Sequence, residues 1–166
     1  MEVHSVETIV KALNDAQVKY LVVGGLAVNA HGFQRLTMDV DLVIGLRPEN
    51  IVKGLHALHA VGYQPVIPVT PEQFADREQR ELWRREKNML VLKLWSDLHR
   101  RTPIDVFVYE PFDFETEYAR ARAEAVMGNV CAPIVSYPTL LAMKKEAGRE
   151  KDLQDIEALK KLDRYR

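Results

Sequence analysis

Two aspartates stand one residue apart at the start of an apolar run, Asp39-Val40-Asp41-Leu42-Val43-Ile44. In a strand, side chains at i and i+2 share a face, so these carboxylates would stand side by side and repel unless a cation came between them. Oxygen donors of this kind suit Mg2+ or Mn2+. A third acid, Asp105, interrupts the apolar run Ile104-Asp105-Val106-Phe107-Val108, where a charge is costly without a partner. Placed beside the first pair, Asp105 would complete a two-metal site, one ion activating an attacking hydroxyl and the other steadying a leaving pyrophosphate. Alone, an Asp-x-Asp pair is usually a solvated strand face, so the company it keeps decides its meaning.

That company includes Gly24-Gly25, which ends the apolar run Tyr20-Leu21-Val22-Val23. Glycines at a strand-to-helix turn let backbone N–H groups approach a phosphate with no Cβ in the way, and the helix dipole adds to the attraction.

The elements that must position these residues follow from periodicity. Ser5, as an N-cap, and the stripe Val6, Ile9, Val10 and Leu13 predict an opening amphipathic helix to about Asp15. Tyr20 to Val23 reads as a buried strand, Leu26 to Ala30 as a short helix, and Asp39 to Ile44 as a second strand. Pro48 and Gly62 bracket a helix with Ile51, Leu55 and Leu58 inward. Val66 suggests a brief strand among prolines, and Pro71 to Arg85 a charged helical excursion. Asn88 to Trp95, with Leu90, Leu92 and Leu94 on one face, would pair as a hairpin with Ile104 to Tyr109. A short helix after Pro111, two strands around Gly128-Asn129, and helices over about Pro138–Ala147 and Glu150–Leu162, separated by Gly148, complete the chain. The expected fold is α/β (α+β), with a mixed, twisted sheet, flanking helices and C-terminal helices.

The 166 residues are 47% hydrophobic and 28% charged, with a net charge of −1, the profile of one globular domain over 1–166 that does not coat nucleic acid by bulk charge. One cysteine, Cys131, excludes an internal disulfide or thiolate zinc cluster and reads as a minor packing residue. No apolar run reaches the ~18 residues of a membrane span and no signal peptide is evident, so a cytoplasmic protein with no membrane partner is expected.

Gly24-Gly25, thirteen residues, Asp39-Val40-Asp41-Leu42, and the later Ile104-Asp105-Val106 together resemble the nucleotidyltransferase superfamily with the DNA polymerase beta-like fold. The resemblance covers the expected catalytic sheet, about 18–110. Gly24-Gly25-Leu26-Ala27-Val28, His31-Gly32 and Arg35-Leu36-Thr37-Met38-Asp39 look most like the abortive-infection type, which includes toxins of toxin–antitoxin pairs, and like small antibiotic nucleotidyltransferases. The segment 137–164, containing Leu141 to Ile156, resembles the helices that follow the sheet in those proteins, where a lysine contacts the triphosphate. The resemblance implies Asp39, Asp41 and Asp105 as catalytic metal ligands for Mg2+ or Mn2+. It implies Gly24, Gly25, Arg35, Thr37, Lys144 and, as second choice, Lys151 as nucleotide-binding residues. It also implies ATP or another NTP as donor. RNA, protein and drug hydroxyls are all compatible acceptors, a toxin-like enzyme with an antitoxin partner stands slightly ahead of drug modification, and a catalytically silent relative and a two-metal nuclease are the rivals.

Several other residues invite sharper functions than their setting supports. His56 and His59 lie one helical turn apart with no evident third metal ligand, so a helix surface is the simpler reading. His31 is next to the diglycine loop, where capping and substrate binding are equally compatible. Arg77, Arg80, Arg84, Arg85 and Lys87 around Trp83 would suit a single-stranded RNA end, although Glu78, Glu81 and Glu86 favour a salt-bridged face. Trp95 and Tyr109 read as core.

Overall fold

The computed structural model describes residues 1–165. Its first helix, α1 (Val3–Asp15), buries the expected stripe of Val6, Ile9, Val10 and Leu13. It begins three residues earlier than the sequence suggests, with Glu2 as N-cap, so Ser5 is not a cap. Ser5 is instead buried inside the helix, where its hydroxyl lies 2.9 Å from His99 Nδ1.

The strand β1 (Tyr20–Val23) is buried at all four positions, as an apolar run flanked on both sides must be. It runs directly into α2 (Gly24–Ala30), so the diglycine forms the first turn of the helix rather than a turn ahead of it. Next come β2 (Val40–Ile44) and α3 (Pro48–Ala60), whose proline occupies the first helical position, where its missing N–H costs nothing. Asp39 thus sits just before β2, not within it.

A two-residue strand β3 (Gln64–Pro65) precedes α4 (Pro71–Ala75) and α5 (Arg77–Lys87). The expected single excursion is two helices because Asp76 ends one and caps the other, accepting hydrogen bonds from the Glu78 and Gln79 amides. Asn88, in the left-handed conformation, stops α5, so β4 (Val91–Trp95) starts later than expected and leaves Leu90 exposed while Leu92 and Leu94 are buried.

β5 (Ile104–Phe107), α6 (Phe114–Arg120), β6 (Arg122–Met127), β7 (Val130–Ile134), α7 (Tyr137–Ala147) and α8 (Glu150–Asp163) follow the expected order. Gly148, with φ +62°, ends α7. Among the described residues, no helix is long and apolar enough to cross a membrane.

The seven strands form one mixed sheet in the order β3-β4-β5-β2-β1-β7-β6. β4 and β5 pair antiparallel, as the hairpin expectation required, while β2 and β5 run parallel and β1 pairs antiparallel with β2. The C-terminal end of β1 and the N-terminal ends of β2 and β5 therefore meet on one edge of the sheet. That edge is where the chemistry-bearing residues gather.

Candidate active site

Strand register aligns four residues across this edge. Val23 pairs with Asp41, Asp41 with Asp105, and Asp105 with Lys93. Register partners project to the same face, so the Asp41 and Asp105 carboxylates and the Lys93 ammonium form one row. Asp39, at i−2 from Asp41, joins them: Lys93 Nζ lies 3.0 Å from Asp105 and 3.9 Å from Asp39. The three sequence-expected acids are thus brought together, along with a lysine that the sequence did not single out. Its one signal was a lone cation between Leu92 and Leu94, which also reads as an ordinary solvated strand position.

The row is short of positive charge. Burial, then the charges of Asp105 and Asp39, push the Asp41 carboxyl up to about 7, against opposition from Lys144 and the Gly25 amide hydrogen bond. Burial outranks mutual repulsion as the cause. Burial pulls Lys93 down, yet Asp105, and behind it Asp39 and Asp41, outweigh this and hold the ammonium above its usual range. Asp105 Oδ1 is buried and receives no aligned hydrogen bond, although Lys93 stands beside it as an ion-pair partner.

A cluster of oxygen donors with one inward oxygen lacking a directional donor fits a hard divalent cation such as Mg2+. Among the described residues, no three acidic, histidine or cysteine side chains are already drawn together tightly enough to hold a metal ion. Asp41 and Asp105 are instead each engaged by a protein donor, the Gly25 amide and Lys93.

Gly24 shows why glycine is needed here. It has φ +64°, and a Cβ on it would fall on the Asp41 carboxylate. A Cβ on Gly25 would strike the Thr37 hydroxyl and approach Arg35 Nη1 at 3.3 Å, so a larger residue there disturbs local packing as well as any ligand.

Arg35, Thr37 and Lys144 are placed inward. Thr37 is 8% exposed. Arg35 donates from Nε and Nη2 to the two oxygens of Asp155, at 2.6 and 2.7 Å. Lys144, 6% exposed, lies 2.9 Å from both Asp152 and Asp155. Arg149 Nε completes the cluster by donating to Asp152 at 2.7 Å. Burial pushes Asp152 up, but hydrogen bonds from Arg149 and Lys144 overcome it and hold the group down at about 2. Asp155 is likewise held low by Arg35 and Lys144 despite burial.

Lys144 is therefore no free ammonium on a helix surface. It is committed to two buried acids, and its charge reaches Asp41 from there, as does that of the largely exposed Arg149. Lys151 is exposed on α8. Asp152, Asp155 and Arg149 were not foreseen as members of this neighbourhood.

Of the other expectations, some hold and some are corrected. Trp83 is buried against Phe74 and Arg80 is 5% exposed, donating to the Phe74 carbonyl, so neither forms part of an open basic strip. Trp95 is 38% exposed rather than core, and Tyr109 is partly buried with the Arg84 guanidinium 3.8 Å above its ring. Cys131 is exposed. His56 and His59 are both exposed, and His31 faces the Val135 carbonyl at 2.8 Å.

No protein-family model matches this sequence, and no curated protein does. Solved structures do. The lincosamide antibiotic adenylyltransferase LnuA, with lincomycin bound, matches with a TM-score of 0.59 and 17% identity over 96% of this chain and 97% of that one. The crystal structure of ANT(2")-Ia in complex with adenylyl-2"-tobramycin matches with a TM-score of 0.61 and 13% identity, over 95% of this chain and 86% of that one. An antigenic nucleotidyltransferase-like protein from Paracoccidioides brasiliensis matches with a TM-score of 0.54 and 18% identity, over 97% and 76%. With its mixed sheet and flanking helices, this chain has the nucleotidyltransferase fold.

Proposed function

We propose that the chain is a single-unit, metal-dependent nucleotidyltransferase that moves a nucleoside monophosphate from ATP or another NTP to an acceptor hydroxyl. One observation carries this: Asp41 and Asp105 in direct register, with Asp39 beside them, at the edge where the Gly24-Gly25 turn meets the sheet. Asp39, Asp41 and Asp105 would hold Mg2+ or Mn2+, which when bound supplies charge neutralisation at the phosphoryl group and lowers the pKa of the attacking hydroxyl.

The chain's own groups do the rest. Asp105 would accept the proton of the acceptor hydroxyl, its inward oxygen having no aligned donor. Gly24 keeps the approach to Asp41 clear, since any side chain there would displace the carboxylate. Arg35, Thr37 and Lys144 act through the packed loop and the buried ion cluster, while the largely exposed Arg149, whose charge reaches Asp41, and the exposed Lys151 are the candidates for phosphate contact.

A small-molecule acceptor, such as a hydroxylated antibiotic, now stands ahead of the toxin-like alternative. The chain matches LnuA over almost the whole of both chains, and that structure holds lincomycin. The buried Trp83 also removes the stacking ring that an RNA end would have used. An RNA or protein acceptor, an antitoxin partner and a cytoplasmic location keep only their sequence rationale.

The deciding experiment incubates the protein with each α-labelled NTP, Mg2+ and, separately, lincosamides, aminoglycosides, total RNA and total protein. Label transferred to a drug supports the preferred reading, transfer to RNA or protein supports the toxin-like one, and no transfer in any arm overturns nucleotidyl transfer.

A further inference from the structure

Lys93 lies on β4 between two buried leucines, so its side chain leaves the strand on the opposite face, the one that carries the acidic row. The β4–β5 register sets it directly opposite Asp105. Its ammonium stands 3.0 Å from Asp105 and 3.9 Å from Asp39 and so bridges an acid within β5 and one just ahead of β2. It holds Asp105 by charge rather than by a directional bond, because Oδ1 receives no aligned donor at that distance. With its side chain 46% exposed, Lys93 also has water to withdraw into, whereas Asp105, at 16%, does not.

We propose that Lys93 is a tethered cation that occupies Asp39 and Asp105 before metal loading, and that a divalent ion enters the site by displacing it. This rests on the nucleotidyltransferase reading of the same site. Three carboxylates in one row repel each other, and a single flexible ammonium relieves that repulsion without a fixed geometry that would compete permanently. Lys93 is thus a positioning residue. It keeps Asp105 and Asp39 aligned until the metal arrives, and it sets how tightly the metal is held.

The test is Mn2+ binding to the intact protein, followed by isothermal titration or by the electron paramagnetic resonance signal of free Mn2+, without substrate or turnover. Lys93→Met should bind Mn2+ roughly three- to tenfold more tightly than wild type, the range expected for a partly exposed charge pair. Lys93→Arg, which keeps the charge, should return the affinity towards wild type. In wild-type protein labelled at the lysine side chains, the Lys93 resonance, assigned by its loss in Lys93→Met, should shift as Mg2+ saturates the site.

Unchanged affinity in Lys93→Met, or a Lys93 resonance indifferent to Mg2+, overturns the displacement while leaving the metal site intact. If Asp105→Asn binds Mn2+ as tightly as wild type, or if no variant binds it, the metal-dependent reading of the site fails as well.

Discussion

Asp152 and Asp155, each 1% exposed, sit among three cations, Lys144, Arg35 and Arg149, while Asp39, Asp41 and Asp105 share a sheet edge with one, Lys93. In the first cluster, cations outnumber acids and every acid is held below its ordinary range. In the second, acids outnumber cations and Asp41 is pushed up to about 7. Burial raises the acids of both clusters; in the first the cationic partners overcome it, whereas around Asp41 burial dominates and the neighbouring acids add to it. The C-terminal cluster is electrostatically finished and can serve as scaffold. The sheet-edge cluster is short of positive charge, the condition of a site that takes up cations.

The strongest way to break this comparison is to neutralise one acid in each cluster. Asp41→Asn should reduce nucleotidyl transfer by about 10^3-fold, a typical cost for a central catalytic carboxylate, while leaving the urea midpoint unchanged or higher. Loss of stability with activity preserved would reverse the roles assigned here. Asp155→Ala should do the opposite in kind, stranding Arg35 and Lys144 and costing about 3–5 kcal/mol in urea denaturation. A loss below about 1 kcal/mol would mean that the cluster is not the scaffold described.

The two clusters should also oppose each other in pH. Asp152, lowered in the fold to about 2, contributes stability that is complete above its ordinary value near 4 and is lost as pH falls through 2. Asp41 is raised, so the folded chain binds more protons than the unfolded one between about 4 and 7, and stability falls as pH rises through that window. Chemical denaturation across pH, without divalent ions, should show the second slope flatten in Asp41→Asn and the first in Asp152→Asn. Added Mg2+ should flatten only the second, and a slope that Mg2+ leaves intact would place the raised acid elsewhere.

A smaller effect separates two left-handed glycines. Gly148→Ala meets nothing closer than 3.6 Å and should cost only the conformational penalty, about 1 kcal/mol, with activity retained. Gly24→Ala adds a collision with the Asp41 carboxylate to the same penalty and should also abolish transfer. Equal behaviour of the two variants, measured by melting and by label transfer, would show that the close approach of Gly24 to Asp41 does not matter.

These clusters also differ in how far they could be read from the chain. Gly24, Asp39 and Asp41 belong to patterns written within a few residues, and the strand period alone aligns the two acids. Asp105 was legible because a charge inside an apolar strand needs a reason. Lys93 was not, since a lysine alternating with leucines looks the same whether it meets water or carboxylates, and only register distinguishes them. Arg35 and Asp155 are 120 residues apart, and no local pattern announces such a pair. Lys144 was noticed, but as a triphosphate contact implied by the resemblance, because the helix period does not say that α8 brings two acids against it. The same gap explains Ser5, an apparent cap that turned inward to meet His99.

The Arg35–Asp155 pair also bears on when the protein becomes competent during synthesis. The loop that leads into Asp39 is clamped by a residue of α8, which leaves the ribosome after every strand of the sheet has been made. The sheet can therefore assemble while the loop in front of its acids is still untethered. A nascent chain halted before α8 would carry all three aspartates and the diglycine but lack the clamp, so the order of translation itself makes fixing of this loop a late event.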